Sequence, residues 1–151
     1  MRGYKSNYRG YYKPKFPEKW LEIPAKGIQY LSLWERHAFV FLEKNPNVLK
    51  VGAETVKIPY ICATDGKEHT YMVDLQIFFK SGKKLLVEIK PDKQQVKPKK
   101  RGKKKITQIR EEIVYYKNLS KWSYARKWCE ENGYFFEIWG ENKLRELGIM
   151  I

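Results

Sequence analysis

Three acids and a lysine stand out by type and spacing. Thirteen residues separate Asp74 from Glu88, and Glu88-Ile89-Lys90 closes the apolar run Leu85-Leu86-Val87. Charges placed in such a run need partners, because an unpaired buried charge is costly. Strand side chains alternate, so in a strand over 69–80 the odd positions Tyr71, Val73, Leu75, Ile77 and Phe79 form one apolar face. Asp74 and Gln76 lie on the other. In a strand over 84–90, Leu85, Val87 and Ile89 share a face, and Glu88 and Lys90 share the opposite one. A hairpin of these strands brings Asp74, Glu88 and Lys90 together. Two half-buried carboxylates beside a lysine favour a divalent cation. On a helix opening at Ser32, the residues Trp34, Ala38, Phe41 and Leu42 turn inward, and Glu35 falls at the edge of that face. From there it points over the sheet toward Asp74 and Glu88. Glu35 is also the fourth residue of the capping box Ser32-Leu33-Trp34-Glu35, and the two roles are compatible.

Phosphodiester hydrolysis needs such a set. Asp74 and Glu88, helped by the Ile89 carbonyl, are expected to hold Mg²⁺, with Mn²⁺ able to substitute. Such a cation neutralises a phosphate oxygen and lowers the pKa of a bound water. Lys90 would orient that water or stabilise the developing charge. Glu35 would be a further ligand, direct or through water. Whether one or two cations bind stays open.

The elements that must position these residues follow from periodicity and breakers. Residues 1–30 read as an irregular arm, interrupted by Pro14, Pro17 and Pro24. A helix over 32–44 stops at Asn45-Pro46. Residues 48–60 read as one strand with Gly52 a bulge, and Thr64–Lys67 as a turn. The strand over 69–80, a turn at Ser81-Gly82 and the strand over 84–90 follow, ended by Pro91. After the Lys-rich loop 91–105 come helices over 106–118 and 120–132, a cap at Gly133, a strand over 134–139 and a helix over 141–147 closed by Gly148. This order predicts an α/β (α+β) domain over 31–151, a mixed β-sheet flanked by helices.

The chain has 151 residues, enough for one such domain, and a net charge of +14. The charge is unevenly spread. Residues 1–16 carry +5 and residues 91–105 carry +7, leaving +2 for the other 120 residues. A near-neutral body with two basic appendages is the footprint of a polyanion binder, above all of nucleic acid. Tyr4, Tyr8, Tyr11 and Tyr12 interleave with the first basic run and suit base stacking or packing on the body. No window is apolar enough for a membrane span, and 1–16 lack the apolar core of a secretory signal. Cys62 and Cys129 are expected to be small buried hydrophobes, and His37 and His69 to have no partners at metal spacing. Trp122, Ala125, Trp128 and Cys129 recur at helical spacing and read as core. Glu54 shares a strand face with Val56 and Ile58 and reads as a structural acid rather than a ligand.

Asp74, thirteen residues, then Glu88-x-Lys90, preceded by a helical Glu35, resembles the PD-(D/E)xK nuclease superfamily. Val73 stands where that motif carries proline. The stretches Trp34-Glu35, Asn45-Pro46, Gly52-x-Glu54-Thr55-Val56-x-Ile58-Pro59-Tyr60, Tyr71-x-x-Asp74, Glu88-Ile89-Lys90-Pro91, Lys121-Trp122 and Leu144-Arg145-x-Leu147-Gly148 are similar to the head-completion nucleases of T-even-type phages. They are more distantly similar to the endonuclease subunit of Tn7-like transposases. The resemblance implies a restriction-endonuclease-like core and a Mg²⁺-dependent DNA endonuclease with Glu35, Asp74, Glu88 and Lys90 as its catalytic set. It implies action on packaged or terminal phage DNA before tail joining, with head, portal or neck proteins as partners. The corresponding location is the virion and, during assembly, the host cytoplasm. Lys97, Lys99, Lys100, Arg101, Lys103, Lys104, Lys105 and Lys121, with Arg2, Lys5 and Arg9, are expected to grip the DNA backbone without reading sequence. Two rival readings are a junction resolvase or transposase-type nuclease subunit, which needs a dimer or partner subunit, and a non-catalytic DNA-binding virion protein. The oligomeric state stays open.

Overall fold

An unbroken apolar run ending in a buried acid suits a strand covered on both faces. In the computed structural model, which describes residues 8–100 and 102–149, that run is the central strand β7 (Lys84–Ile89), buried from Leu85 to Ile89. Antiparallel to it lies β6 (Leu75–Phe79), and antiparallel to β6 lies β3 (Val48–Ala53). On its other side β8 (Phe135–Trp139) runs parallel, with Glu88 opposite Ile138. Parallel neighbours need a long crossover. The 28-residue helix α2 (Lys105–Asn132) supplies it.

Each face of this mixed sheet has its own core. On one face, Trp34, Ala38, Phe39 and Leu42 of α1 (Leu33–Lys44) and Leu144 of α3 (Glu141–Glu146) pack on Val51, Leu75, Ile77 and Val87. On the other, Trp122, Ala125 and Cys129 of α2 pack on Leu86 and on a second hairpin. That hairpin is β4 (Lys57–Ile61) paired with β5 (Glu68–Met72). The expected mixed sheet flanked by helices is thus observed.

Several expected elements take a different form. Residues 48–60 and 69–80 are not single strands: both break, at Glu54–Val56 and at Val73–Asp74. The breaks are adjacent, since the Glu54 N–H donates to the Asp74 carbonyl (3.1 Å) and the Val73 N–H to the Val56 carbonyl (3.1 Å). Glu54 sits at φ +54°, outside the strand region. The long hairpin therefore leaves the central sheet here, and its odd positions do not stay on one face. Leu75 and Ile77 enter the first core, Tyr71 and Val73 the second. The register irregularity in β3 falls between Val48 and Lys50 rather than at Gly52. The two helices expected after residue 105 are one, since nothing between Asn118 and Ser120 breaks it. On α1 Phe39 is buried along with Trp34, whereas Phe41 is only partly covered.

The described part of 1–30 is not an irregular arm. Strand β1 (Gly10–Tyr12) pairs antiparallel with β2 (Ile28–Tyr30), and Tyr12, Trp20 and Ile28 join the first core. The tie is a buried acid. Glu43 of α1 accepts from the Trp20 indole N–H (2.6 Å), the Tyr12 hydroxyl (3.0 Å) and the Lys15 N–H (2.9 Å). Burial, reinforced by Glu43, pushes the Tyr12 phenol up to about 12. The prolines break helix as expected, but the aromatic residues between them carry the segment into the core. Among the described residues, no helix is long and apolar enough to cross a membrane.

Candidate active site

The site forms at the C-terminal end of β7, where the two helical layers meet across the sheet. Its first acid comes from the start of α1. Ser32 caps that helix, its hydroxyl oxygen accepting from the Glu35 N–H at 3.3 Å. The Glu35 carboxylate accepts from the Leu31 N–H (3.0 Å) and the Ser32 hydroxyl (3.3 Å). The reciprocal bond of the capping box thus goes to the Leu31 N–H, one residue before the cap. It fixes the side chain without using up both oxygens' lone pairs.

Asp74 stands at the break between β5 and β6. Strand β6 begins at Leu75, opposite Val87, so the Ile89 N–H has no strand partner on that side. The Asp74 carboxylate accepts it at 2.8 Å. Glu88 is buried beside it on β7 and accepts a hydrogen bond from the Tyr71 hydroxyl. Lys90, just beyond the strand, places its ammonium 3.9 Å from the other Glu88 oxygen. From α2, Lys121 brings its ammonium 5.5 Å from the Tyr71 ring centroid.

The electrostatics show acids crowded together. Burial raises the Asp74 carboxyl well above the usual range, and the charges of Glu88 and Glu35 push it further. The Ile89 N–H and Lys90 offset only part of this. Burial likewise raises Glu35, with Glu54 and Glu88 adding to it against the Leu31 and Ser32 hydrogen bonds. Burial lowers the Lys121 ammonium, while Glu88 and Asp74 hold it up. This donor set is all oxygen, half-buried and short of positive charge, which fits a hard divalent cation.

Of the residues singled out from the sequence, Glu35, Asp74, Glu88 and Lys90 converge, and Lys121 joins them. Glu54 is exposed, yet its charge is felt at Glu35, so it borders the same site. Lys97, Lys99, Lys100, Lys104 and Lys105 are exposed between β7 and the start of α2. Lys103 is paired with Glu111 at 2.5 Å. Arg9 is exposed, while Arg2, Lys5, Tyr4 and Arg101 lie outside the described residues. Tyr71 went unnoticed as a site residue, although it alone carries a hydroxyl in its apolar row. The expectation that His69 lacks partners at metal spacing is corrected: its ring nitrogen lies 2.8 Å from Asp65, with Cys62 adjacent. The turn Cys62–Lys67 folds these residues together, which spacing alone did not reveal.

A mixed sheet between helices, with an acid-x-lysine sequence leaving its central strand, defines the class: a nuclease with a restriction-endonuclease-like core. Residues 45–141 match the TnsA-like endonuclease N-terminal family, a span holding Asp74, Glu88, Lys90 and Lys121 but beginning after Glu35. Over 147 residues the chain is 36% identical to the head completion nuclease of Enterobacteria phage T4, covering 93% of this chain and 96% of that protein. The chain belongs to this PD-(D/E)xK nuclease family, as the sequence resemblance implied.

Proposed function

We propose that this protein is a divalent-metal-dependent DNA endonuclease that processes DNA ends during completion of a phage head. The observation that carries the reading is the convergence of Glu35, Asp74 and Glu88, from a helix, the break between β5 and β6 and the central strand, beside Lys90. The similarity to a nuclease named for head completion supports the biological setting. Asp74 and Glu88 would hold Mg²⁺ or Mn²⁺, with the Ile89 carbonyl as a neutral donor and Glu35 as a ligand, direct or through water. When bound, such a cation supplies Lewis-acid activation of water and neutralises phosphate charge.

The chain's own residues do the positioning. The Ile89 N–H fixes one Asp74 oxygen and leaves the other for ligation. Tyr71 does the same for Glu88. Such outer partners set ligand orientation. Lys90, its ammonium 3.9 Å from Glu88, would stabilise negative charge developing at the phosphate. The basic segment 97–105, Lys121 and Arg9, with Arg2, Lys5 and Arg101, bind the DNA backbone. Contacts to the backbone carry no sequence information, so little sequence preference is expected. Head, portal or neck proteins would be the partners, in the virion and in the host cytoplasm during assembly.

The test is cleavage of supercoiled and linear DNA with Mg²⁺ or EDTA, comparing wild type with Asp74→Ala and Lys90→Ala. Metal-dependent cutting should vanish in both variants while DNA binding persists, because the basic segments supply the affinity. Unchanged cutting in Asp74→Ala would overturn the assignment of the site.

A further inference from the structure

A second cluster of chemistry lies at the far end of the β4–β5 hairpin. Cys62 Sγ, an Asp65 carboxylate oxygen and a His69 ring nitrogen all lie within 4.8 Å of one another. His69 is five residues from Asp74, about 16 Å along an extended chain at ~3.3 Å per residue, so this group is separate from the nuclease carboxylates.

The turn holds these side chains in place. Cys62 anchors it, its N–H donating to the Lys67 carbonyl (3.0 Å) and its carbonyl accepting from the Gly66 N–H (2.8 Å). Gly66, at φ +68°, allows the reversal. One Asp65 oxygen accepts from the Lys67 N–H (2.9 Å), which leaves the other facing His69. The His69 ring stacks on Tyr60 at 5.7 Å. The same turn is tied to α2, where the Ser120 hydroxyl accepts from the Ala63 N–H at 3.0 Å. The Asp65 and His69 side chains are 39% and 37% exposed, so a cation has access from solvent.

We propose that Cys62, Asp65 and His69 form a binding site for a borderline-soft divalent cation of the Zn²⁺ class, distinct from the hard-cation site at Asp74 and Glu88. A thiolate, an imidazole and a carboxylate match Zn²⁺ and discriminate against Mg²⁺. With metal–ligand bonds of about 2.0–2.3 Å, tetrahedral ligand atoms stand roughly 3.5 Å apart. Occupancy therefore opens the 2.8 Å His69–Asp65 contact. Binding releases the Cys62 thiol proton to solvent, and His69 ligates as the neutral imidazole through the ring nitrogen that faces Asp65. Three protein ligands leave a fourth position for water. Bound there, the cation clips the hairpin tip on which α2 packs.

The experiment is a Co²⁺ titration of the full chain, followed by absorption. We expect one equivalent to give a thiolate-to-cobalt charge-transfer band and strong visible bands of tetrahedral Co²⁺. Zn²⁺ should displace it, and excess Mg²⁺ should not. Asp74→Ala should keep the signal. His69→Ala, a change at a partly exposed side chain that preserves the fold, should weaken binding at least ten-fold. Cys62→Ser should remove the thiolate band. No thiolate band in wild type, or unchanged affinity in His69→Ala, would overturn the site. Zn²⁺ should also raise the Tm of wild type and not that of His69→Ala, a readout independent of cleavage.

Discussion

At the scale of single residues, the acids of the candidate active site carry a stability cost that pH and metal should expose. Asp74 and Glu35 are held above their ordinary carboxylate values, first by burial and then by neighbouring acids. The unfolded chain releases these protons near pH ~4. Between that pH and the raised folded values, the native state binds more protons than the unfolded one, so stability falls as pH rises. Once pH exceeds the folded values the full penalty is present. Urea unfolding of metal-free protein across this range should therefore show wild type losing stability relative to Asp74→Asn as pH rises. Mg²⁺ should restore stability, and more at neutral than at acidic pH, because protons compete with the cation. At a hundred times its Kd the gain would be about 2.7 kcal/mol. A wild-type-minus-variant difference independent of pH would contradict this account. Tyr71 makes a second case. Tyr71→Phe keeps the ring in the second core and removes only the hydroxyl that Glu88 accepts. We expect folding to persist while metal affinity falls about 10–100-fold, with cleavage partly recovered at raised Mg²⁺. Cleavage assays across a Mg²⁺ titration check it.

At the scale of elements, the site was more legible than the fold. Alternation predicted that Asp74, Glu88 and Lys90 would gather, and helical periodicity brought Glu35 to them. Those patterns survive because each residue lies within a few positions of a well-defined strand or helix. What alternation could not reveal is the paired break at Glu54–Val56 and Val73–Asp74, because the apolar period runs through it unbroken from Tyr71 to Phe79. The same period serves two cores in turn, and only the three-dimensional path distinguishes them. The N-terminal segment illustrates the opposite problem. Its prolines were a true local signal, but what holds it is Glu43, 31 residues from Tyr12. Glu43→Ala would strand the Trp20 indole N–H, the Tyr12 hydroxyl and the Lys15 N–H together. Hydrogen bonds to charged groups contribute about 1.5–3 kcal/mol each and do not add fully, so a loss of about 3 kcal/mol is expected. Denaturant unfolding would measure it, and a change below about 0.5 kcal/mol would mean the segment is held by its apolar contacts alone.

At the scale of the whole molecule, charge and chemistry are divided between regions. The +7 of residues 91–105 follows directly after Lys90, so the densest positive field begins where the active-site strand ends. Lys97, Lys99, Lys100 and Lys104 are exposed there, whereas Lys103 is already matched by Glu111. If the first four each neutralise a duplex phosphate, changing all four to Gln should lower the slope of log K against log salt by about 0.9 per contact, close to 3.6 in total. The same change at Lys103 should cost less, because that ammonium must first leave its carboxylate. None of these side chains reaches the carboxylates, so kcat at saturating DNA should hold while KM rises. That division separates a clamp from a catalytic group: Lys90→Ala should lower kcat and leave the salt slope nearly untouched. Binding isotherms across a salt series, read beside steady-state cleavage, decide it. A slope that does not move would place the DNA on another face of the protein, away from the strand that carries the acids.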